Sequence, residues 1–311
     1  MKANRIHQFG PPDVILFEEV DIPQASAGHV VVQVKASGVG PWDAWIRSGK
    51  STTTNEASLP VTLGTDISGV VTAVGAGVSG FLPGDPIFGV SNPLFNGGNA
   101  QYALASCTTV AYKPESLGFV EAASVPVVAV TARRMLEEAR LEKGQSVLVL
   151  GAAGNVGAFV VQMARLKGLR VIATGSPNES EGLRLLGAIE VIDVRGRDTD
   201  RVGVAVDAVI DTVGGELQTR MLEALKPGGA FVSAVSRLDV DAAGRPDVRS
   251  VFFLVEVSTR SLDAIAELFD AGLLKTHVGV VLPLAAARCA HEMLEGTRLR
   301  PAGKIVLRSE D

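Results

Sequence analysis

Cysteine, histidine and basic charge are all in short supply in this chain, and each shortage removes a class of function. The 311 residues include 2 cysteines and 4 histidines. Cys107 and Cys289 lie far apart and make no metal-type spacing, so they read as reduced thiols of a cytosolic protein. His7, His29, His277 and His291 fall in no motif and read as structural or exposed; no Ser–His–Asp or Cys–His set stands out. The formal net charge of −5 is spread along the chain without a basic stripe, which argues against nucleic acid and anionic membrane as partners. The first residues are polar and lack the apolar core of a signal peptide, so the expected location is the cytoplasm. One stretch, residues 146–164, carries no charge at all. Gly151, Gly154, Gly157 and Asn155 interrupt it, as in a soluble strand–turn–helix and unlike a membrane helix.

What is present is apolar residue content of 47% over a length that suits two domains, each able to bury its own core. Up to about residue 115 short apolar runs alternate with Gly and Pro. Residues 30–36 and 67–74 read as strands, and the texture is that of a compact barrel-like β domain. Residues 121–139 are helical in pattern, broken at Pro126. Strands and helices then alternate: strands over 146–150, 170–174, 190–194, 205–212, 230–235 and 252–257, with helices over 158–167, 179–186, 217–225 and 262–271. Lys226-Pro227-Gly228-Gly229 reads as a helix stop. Alternation at this spacing implies βαβ units and a doubly wound α/β parallel sheet. The tail returns to β character at 278–282 and 303–307 around a helix at 285–295, as if the chain crossed back to the first domain. The domains expected are a β-rich one over 1–118, completed by 277–311, and a doubly wound α/β one over 119–276, with a ligand cleft between them.

The run Gly151-Ala152-Ala153-Gly154-Asn155-Val156-Gly157 follows an apolar strand and opens an amphipathic helix. Free backbone N–H groups at such a helix start hold a pyrophosphate without a basic side chain. In the dinucleotide pattern G-x-G-x-x-G the first glycine is replaced by Ala152, and Gly154 and Gly157 stay in register. An acid at the end of the second strand marks an NAD site. Here that place holds Thr174-Gly175-Ser176, with no carboxylate before Glu179, which favours NADPH with Ser176 as a donor to its 2′-phosphate. Arg184 and Arg195 are further candidate phosphate partners.

The chain resembles the medium-chain dehydrogenases/reductases, specifically the zinc-independent NADPH:quinone oxidoreductase branch. Residues 36–49 (ASGVGPWDAWIRSG) are similar to the family's A-x-G-V-N-P-x-D-x-Y-I-R-x-G segment, and residues 63–71 (LGTDISGVV) to its G-x-D-x-x-G-V-V segment. Residues 122–126 with Thr131, the glycine turn, residues 211–215 (DTVGG) and residues 303–307 (GKIVL) follow in family order. The resemblance implies a GroES-like catalytic domain around a Rossmann domain, and a homodimer whose sheets join near residues 252–255. It implies hydride transfer from NADPH to a quinone or another conjugated carbonyl such as an enone or enal, with enoyl-thioester or 2-alkenal reduction, or non-catalytic NADPH binding, as alternatives. Zinc-dependent relatives carry a cysteine at the place of Gly40 and a histidine at the place of Thr65, so no metal is expected. Quinone reductases carry an asparagine and a tyrosine where this chain has Gly40 and Trp45. Trp45, with its indole N–H, and Asp43 are the implied catalytic residues, with Trp42 as a stacking partner. Thr131 and Phe253 are implied at the nicotinamide, and Thr212, Val213 and Gly214 beside the adenosine.

Overall fold

The computed structural model describes residues 1–52, 54–194 and 205–309. The fold divides into two compact units, one of Met1–Val127 with Glu256–Asp311, the other of Val128–Val255. The first unit begins with β1 (Lys2–Ile6), β2 (Leu16–Glu19), β3 (His29–Val39), helix α1 (Pro41–Arg47), β4 (Val61–Thr62) and β5 (Asp66–Val74). It continues with β6 (Pro86–Val90), β7 (Tyr102–Ser106), β8 (Val110–Tyr112) and α2 (Phe119–Ala122). Helix α3 (Pro126–Ala139) leads into β9 (Ser146–Leu150), α4 (Asn155–Leu166), β10 (Arg170–Thr174), α5 (Ser180–Leu186) and β11 (Glu190–Ile192). After these come β12 (Val206–Asp211), α6 (Glu216–Met221), β13 (Leu225–Ser233) and β14 (Arg249–Phe252). Helix α7 (Thr259–Asp270), β15 (Val278–Pro283), α8 (Ala287–Leu294) and β16 (Lys304–Arg308) complete the first unit.

The first unit is organised by β3. Its Val30, Val32 and Val34 alternate into a core shared with Ile67, Phe81 and Ile87, the period of a strand. Along its length β3 pairs antiparallel with β5; residues 29–33 also pair with β7, and residues 36–39 with β16. The last strand therefore lies in the same sheet as the third, which is the return of the tail that the sequence suggested. Helix α1 starts at an extended Gly40 with Pro41 in its first turn, a favourable start because proline lacks the N–H that would be unsatisfied there.

Arg47, at the other end of α1, is 1% exposed. Its Nε donates to His291 Nδ1 of α8 at 3.2 Å, and its remaining nitrogens reach the Gly10 carbonyl and the Glu295 carboxylate. Burial first, then the Arg47 charge, pushes the His291 imidazole down to about 3. Its Nε2 is buried and has no partner among the described residues.

The second unit is a six-stranded parallel sheet in the order β11-β10-β9-β12-β13-β14. Numbered within the unit this is the 3-2-1-4-5-6 order of the doubly wound dinucleotide fold, with its switch point between β9 and β12. All of β9 is buried, which explains its uninterrupted apolar run; each leucine of it contributes roughly 1.5–3 kcal/mol of burial. The charge-free residues 146–164 are thus strand, turn and helix. No helix among the described residues is long and apolar enough to cross a membrane.

Several elements differ from their sequence reading. Helix α4 begins at Asn155, earlier than residue 158, because the glycine turn itself ends in the helix N-cap, Gly154. Lys226–Gly229 is not a helix stop before a strand at 230: β13 already starts at Leu225, and Val206 pairs with Leu225 while Ala208 pairs with Ala230, so the four residues bulge out of the ladder. The strand expected over 252–257 lies at Arg249–Phe252, because its parallel partner β13 ends opposite Phe252, at Ser233. Boundaries expected at residues 118 and 276 compare with unit limits at Val127 and Glu256. Helix α2 packs on β3 and β5, and α7 on β8, which keeps both helices with the first unit.

His291 makes the stability of the first unit depend on pH. Its folded pKa lies below the unfolded value of about 6.5, so the folded state binds fewer protons between the two values. Its contribution is present above about pH 6.5 and is lost as the pH falls toward about 3. In H291N, denaturant unfolding should show the stability difference between about pH 7 and about pH 5 reduced by about 2 kcal/mol. An unchanged difference would mean that His291 does not titrate in this way.

Candidate functional site

In the second unit, the chain leaves β9 at Gly151, whose φ of +71° is a left-handed conformation that strains any other residue. A Cβ here would also lie 2.5 Å from Thr212 Oγ1 and 2.7 Å from Val213 Cγ2. At Gly157 a Cβ would lie 2.2 Å from the Gly151 carbonyl oxygen. These two glycines let the turn fold tightly between β9 and the end of β12. The first bond within α4 runs from Ala158 N–H to the Gly154 carbonyl at 2.9 Å, so the N–H groups of Asn155, Val156 and Gly157 have no acceptor inside the helix. Ala152 is buried, whereas Ala153 and Gly154 are exposed. This glycine-bounded turn ahead of an open helix start fits a dinucleotide pyrophosphate.

Side chains from neighbouring strands fix the turn. Thr174 Oγ1, at the end of β10, accepts the Gly151 N–H at 3.0 Å, and Thr212 Oγ1 donates to the Leu150 carbonyl at 2.7 Å. Asp211 is fully buried at the end of β12. Its Oδ1 accepts the N–H groups of Val213 and Gly214, both at 3.0 Å. Its Oδ2 accepts from Gln218 Nε2 at 2.7 Å and Ser233 Oγ at 2.8 Å. With four donors on one carboxylate, Asp211 shapes the 212–214 turn and does not face a ligand. Val213 is left half-exposed at the turn tip.

Thr131 is buried on α3. One turn further along the same helix, the Arg134 guanidinium lies 6.0 Å from the centre of the Phe253 ring. Phe253 follows β14 directly and is not part of it. Ser176 stands just beyond β10, with its hydroxyl 2.6 Å from Glu179 Oε2 and donating to it. Arg184 donates to Ser180 Oγ at 2.7 Å. Arg195 lies outside the described residues.

In the first unit, α1 presents Trp42, Asp43 and Trp45. Trp45 is 37% exposed and its ring is 5.6 Å from that of Trp42, which meets Phe95 edge-on at 5.3 Å. Trp42 Nε1 is buried with no acceptor among the described residues. An unanswered buried donor of this kind costs about 1–3 kcal/mol.

Asp43 is buried. Its Oδ2 accepts the Gly40 N–H at 2.7 Å and its Oδ1 the Thr65 hydroxyl at 3.1 Å. Nearby, Lys304 Nζ contacts Asp66 Oδ2 at 2.7 Å, with both side chains buried, and Asp66 Oδ1 accepts the Val127 N–H at the start of α3 at 2.9 Å. The Lys304 stem crosses bare backbone: a Cβ at Gly38 would lie 2.9 Å from Lys304 Cε, and one at Gly40 3.3 Å from Nζ. Two carboxylates thus share one buried cation. Burial pushes Asp43 up to about 6, against the opposing effects of the Gly40 N–H and the Lys304 charge.

Sequence reasoning missed Lys304 and Asp66, although the alternating glycines 38 and 40 were a signal that something passes over the end of β3. Gly40 offers no side chain, and the Thr65 hydroxyl is engaged with Asp43 and the Phe95 carbonyl. Among the described residues no group of three or more His, Cys, Asp or Glu side chains is placed to hold a metal ion.

Comparison with known proteins agrees with this geometry. The family described as "Alcohol dehydrogenase GroES-like domain" matches residues 26–137, and that described as "Zinc-binding dehydrogenase" matches residues 186–307. A quinone oxidoreductase of Mus musculus is 33% identical over 99% of this chain and 97% of its own length. A 2-methylene-furan-3-one reductase of Solanum lycopersicum is 35% identical over 75% of this chain and 61% of its own. The solved structure of the quinone oxidoreductase from Coxiella burnetii superposes with a TM-score of 0.90 at 30% identity, covering 100% of this chain and 99% of that one. With its doubly wound nucleotide sheet and its GroES-like β domain, the chain belongs to the quinone oxidoreductase branch of the medium-chain dehydrogenase/reductase superfamily, a superfamily of nicotinamide-dependent oxidoreductases.

Proposed function

We propose that this protein is an NADPH-dependent, zinc-independent reductase of quinones or other conjugated carbonyls, working as a cytoplasmic homodimer. The observation that carries the reading is the turn from Gly151 to Gly157, where absent Cβ atoms and open helix N–H groups fit a pyrophosphate. Ala152, Ala153, Gly154, Asn155 and Val156 complete that cradle, and Thr212, Val213 and Gly214 line the adenosine side. Thr131 and Phe253 border the nicotinamide, and Ser176 donates to the 2′-phosphate. A reduced nicotinamide supplies the hydride.

The chain's own residues orient the acceptor molecule and accommodate the negative charge that develops on its oxygen. Trp45 donates its indole N–H there and, with Trp42, stacks on a flat ring. Asp43 and Lys304 set the charge beneath them. Names of relatives support a conjugated carbonyl as substrate: one is a quinone oxidoreductase, another reduces a methylene-furanone. Gly40 and Thr65 leave zinc without the ligands that alcohol oxidation by this superfamily uses. The position of β14 as the end strand of the sheet among the described residues, and Leu254 beyond it, 52% exposed, support a two-fold partner at that edge.

The direct test is NADPH oxidation at 340 nm against a panel of quinones, enones and enals, with zinc measured in the purified protein. Turnover with at least one of these classes and no stoichiometric zinc is expected. Binding of NADPH without turnover of any would make the protein a non-catalytic binder. In G157A the new methyl meets the Gly151 carbonyl, and dinucleotide affinity should fall by about a hundredfold or more while circular dichroism stays native.

Ionisation of Asp43 adds a negative charge close to the developing oxyanion. The rate should therefore fall as pH rises through about 6. D43N should flatten that limb of the pH profile, and a limb that persists in D43N would assign the titration to another group.

A further inference from the structure

The end of β10 holds a contact that the glycine cradle does not need. Glu179 Oε2 accepts two hydrogen bonds from one residue, Ser176 N–H at 2.7 Å and Ser176 Oγ at 2.6 Å. In return the Glu179 N–H donates to the Ser176 carbonyl at 3.0 Å, closing a ring over the single turn at Pro177–Glu179. Gly175 precedes the ring and leaves room for Leu183 of α5, whose Cδ1 would lie 2.5 Å from a Cβ there. The Gly175 N–H is taken by the Ile192 carbonyl at 3.0 Å, which ties the base of the ring to β11.

β10 is the second strand of the sheet, and in this fold its end lies against the adenosine ribose. A 2′-phosphate there needs donors and carries close to two negative charges. The donors on Ser176 are already given to a carboxylate, so the phosphate must displace Glu179 and then remain next to its charge. A free ribose 2′-hydroxyl has the opposite needs, because it can donate to that carboxylate.

We infer that Glu179, five residues past the end of β10, sets the choice between NADPH and NADH by holding the Ser176 donors. Glu179 thus lowers, from outside the strand, the advantage that Ser176 gives to a 2′-phosphate. The inference rests on the nicotinamide reading above but not on the preference for NADPH. Both side chains are solvent-accessible, so salt screens the repulsion and the expected effect is about tenfold rather than thousandfold.

The test is the dissociation constant of NADPH and of NADH, by nucleotide fluorescence or calorimetry, for the wild type, E179Q, E179A and E179Q/S176A, each checked for a native melting curve. E179Q keeps an acceptor for the turn and removes only the charge; E179A removes both. The ratio of the NADH to the NADPH constant should rise about tenfold or more in E179Q and in E179A, and S176A should take back part of that gain. A ratio within about twofold of wild type in both single variants overturns the inference. If the wild type prefers NADH and E179Q reverses that preference, Glu179 keeps its role and the NADPH assignment falls. Binding of neither dinucleotide by the wild type overturns the nicotinamide reading and the inference with it.

Discussion

The buried pair of Lys304 and Asp66 joins three parts of the first unit that are distant in sequence. Lys304 stands at the start of β16, Asp66 at the start of β5, and the second oxygen of Asp66 receives the first turn of α3. Removing both charges from water is expensive, and such a pair is seldom a net source of stability. Its effect is on specificity: each charge is tolerable only while the other is in place, so the last strand, the central sheet and the helix start must arrive in one register. Asp43 enters the same low-dielectric space without a cation of its own, and its carboxyl holds a proton to higher pH for that reason.

The second unit solves a different problem with a buried acid. Asp211 has four donors from the turn behind it, from α6 and from β13, so a fully buried carboxylate carries no unmet valence. That rigid turn forms one wall against Gly151, and the open start of α4 forms the other. Rigid walls and free N–H groups are complementary: the turn can be made of glycine and still be stiff, because neighbouring strands supply the restraint that glycine lacks.

Much of this was legible in the sequence, and the reasons differ by element. The parallel sheet was readable because βαβ alternation and the glycine turn are both local patterns. The β-rich first domain was readable from its spaced turns, and the tail strand from its apolar run. Strand ends were less so: β14 stops at Phe252 because β13 stops, and nothing between 252 and 257 records where a partner strand ends. The bulge at 226–229 likewise exists only in the pairing of β13 with β12. Asp43 could be named from a motif, but its raised proton affinity comes from its burial, which no motif records, and the Lys304 charge that opposes the rise comes from the far end of the chain, across Gly38 and Gly40. Glu179 was visible as an acid near the second strand; that it bonds Ser176 is a matter of turn geometry.

The division of β3 between two partners has a consequence for how the chain comes to be folded. Residues 29–33 find β7 soon after it is made, whereas residues 36–39 wait for β16, which is synthesised last. During synthesis the second unit, continuous in sequence, can complete its sheet while the first still displays half of an unpaired edge. An open apolar edge held for that long is a template for wrong pairing. Gly38 lies in that waiting half, where its poor intrinsic strand propensity makes the unfinished edge a weak one.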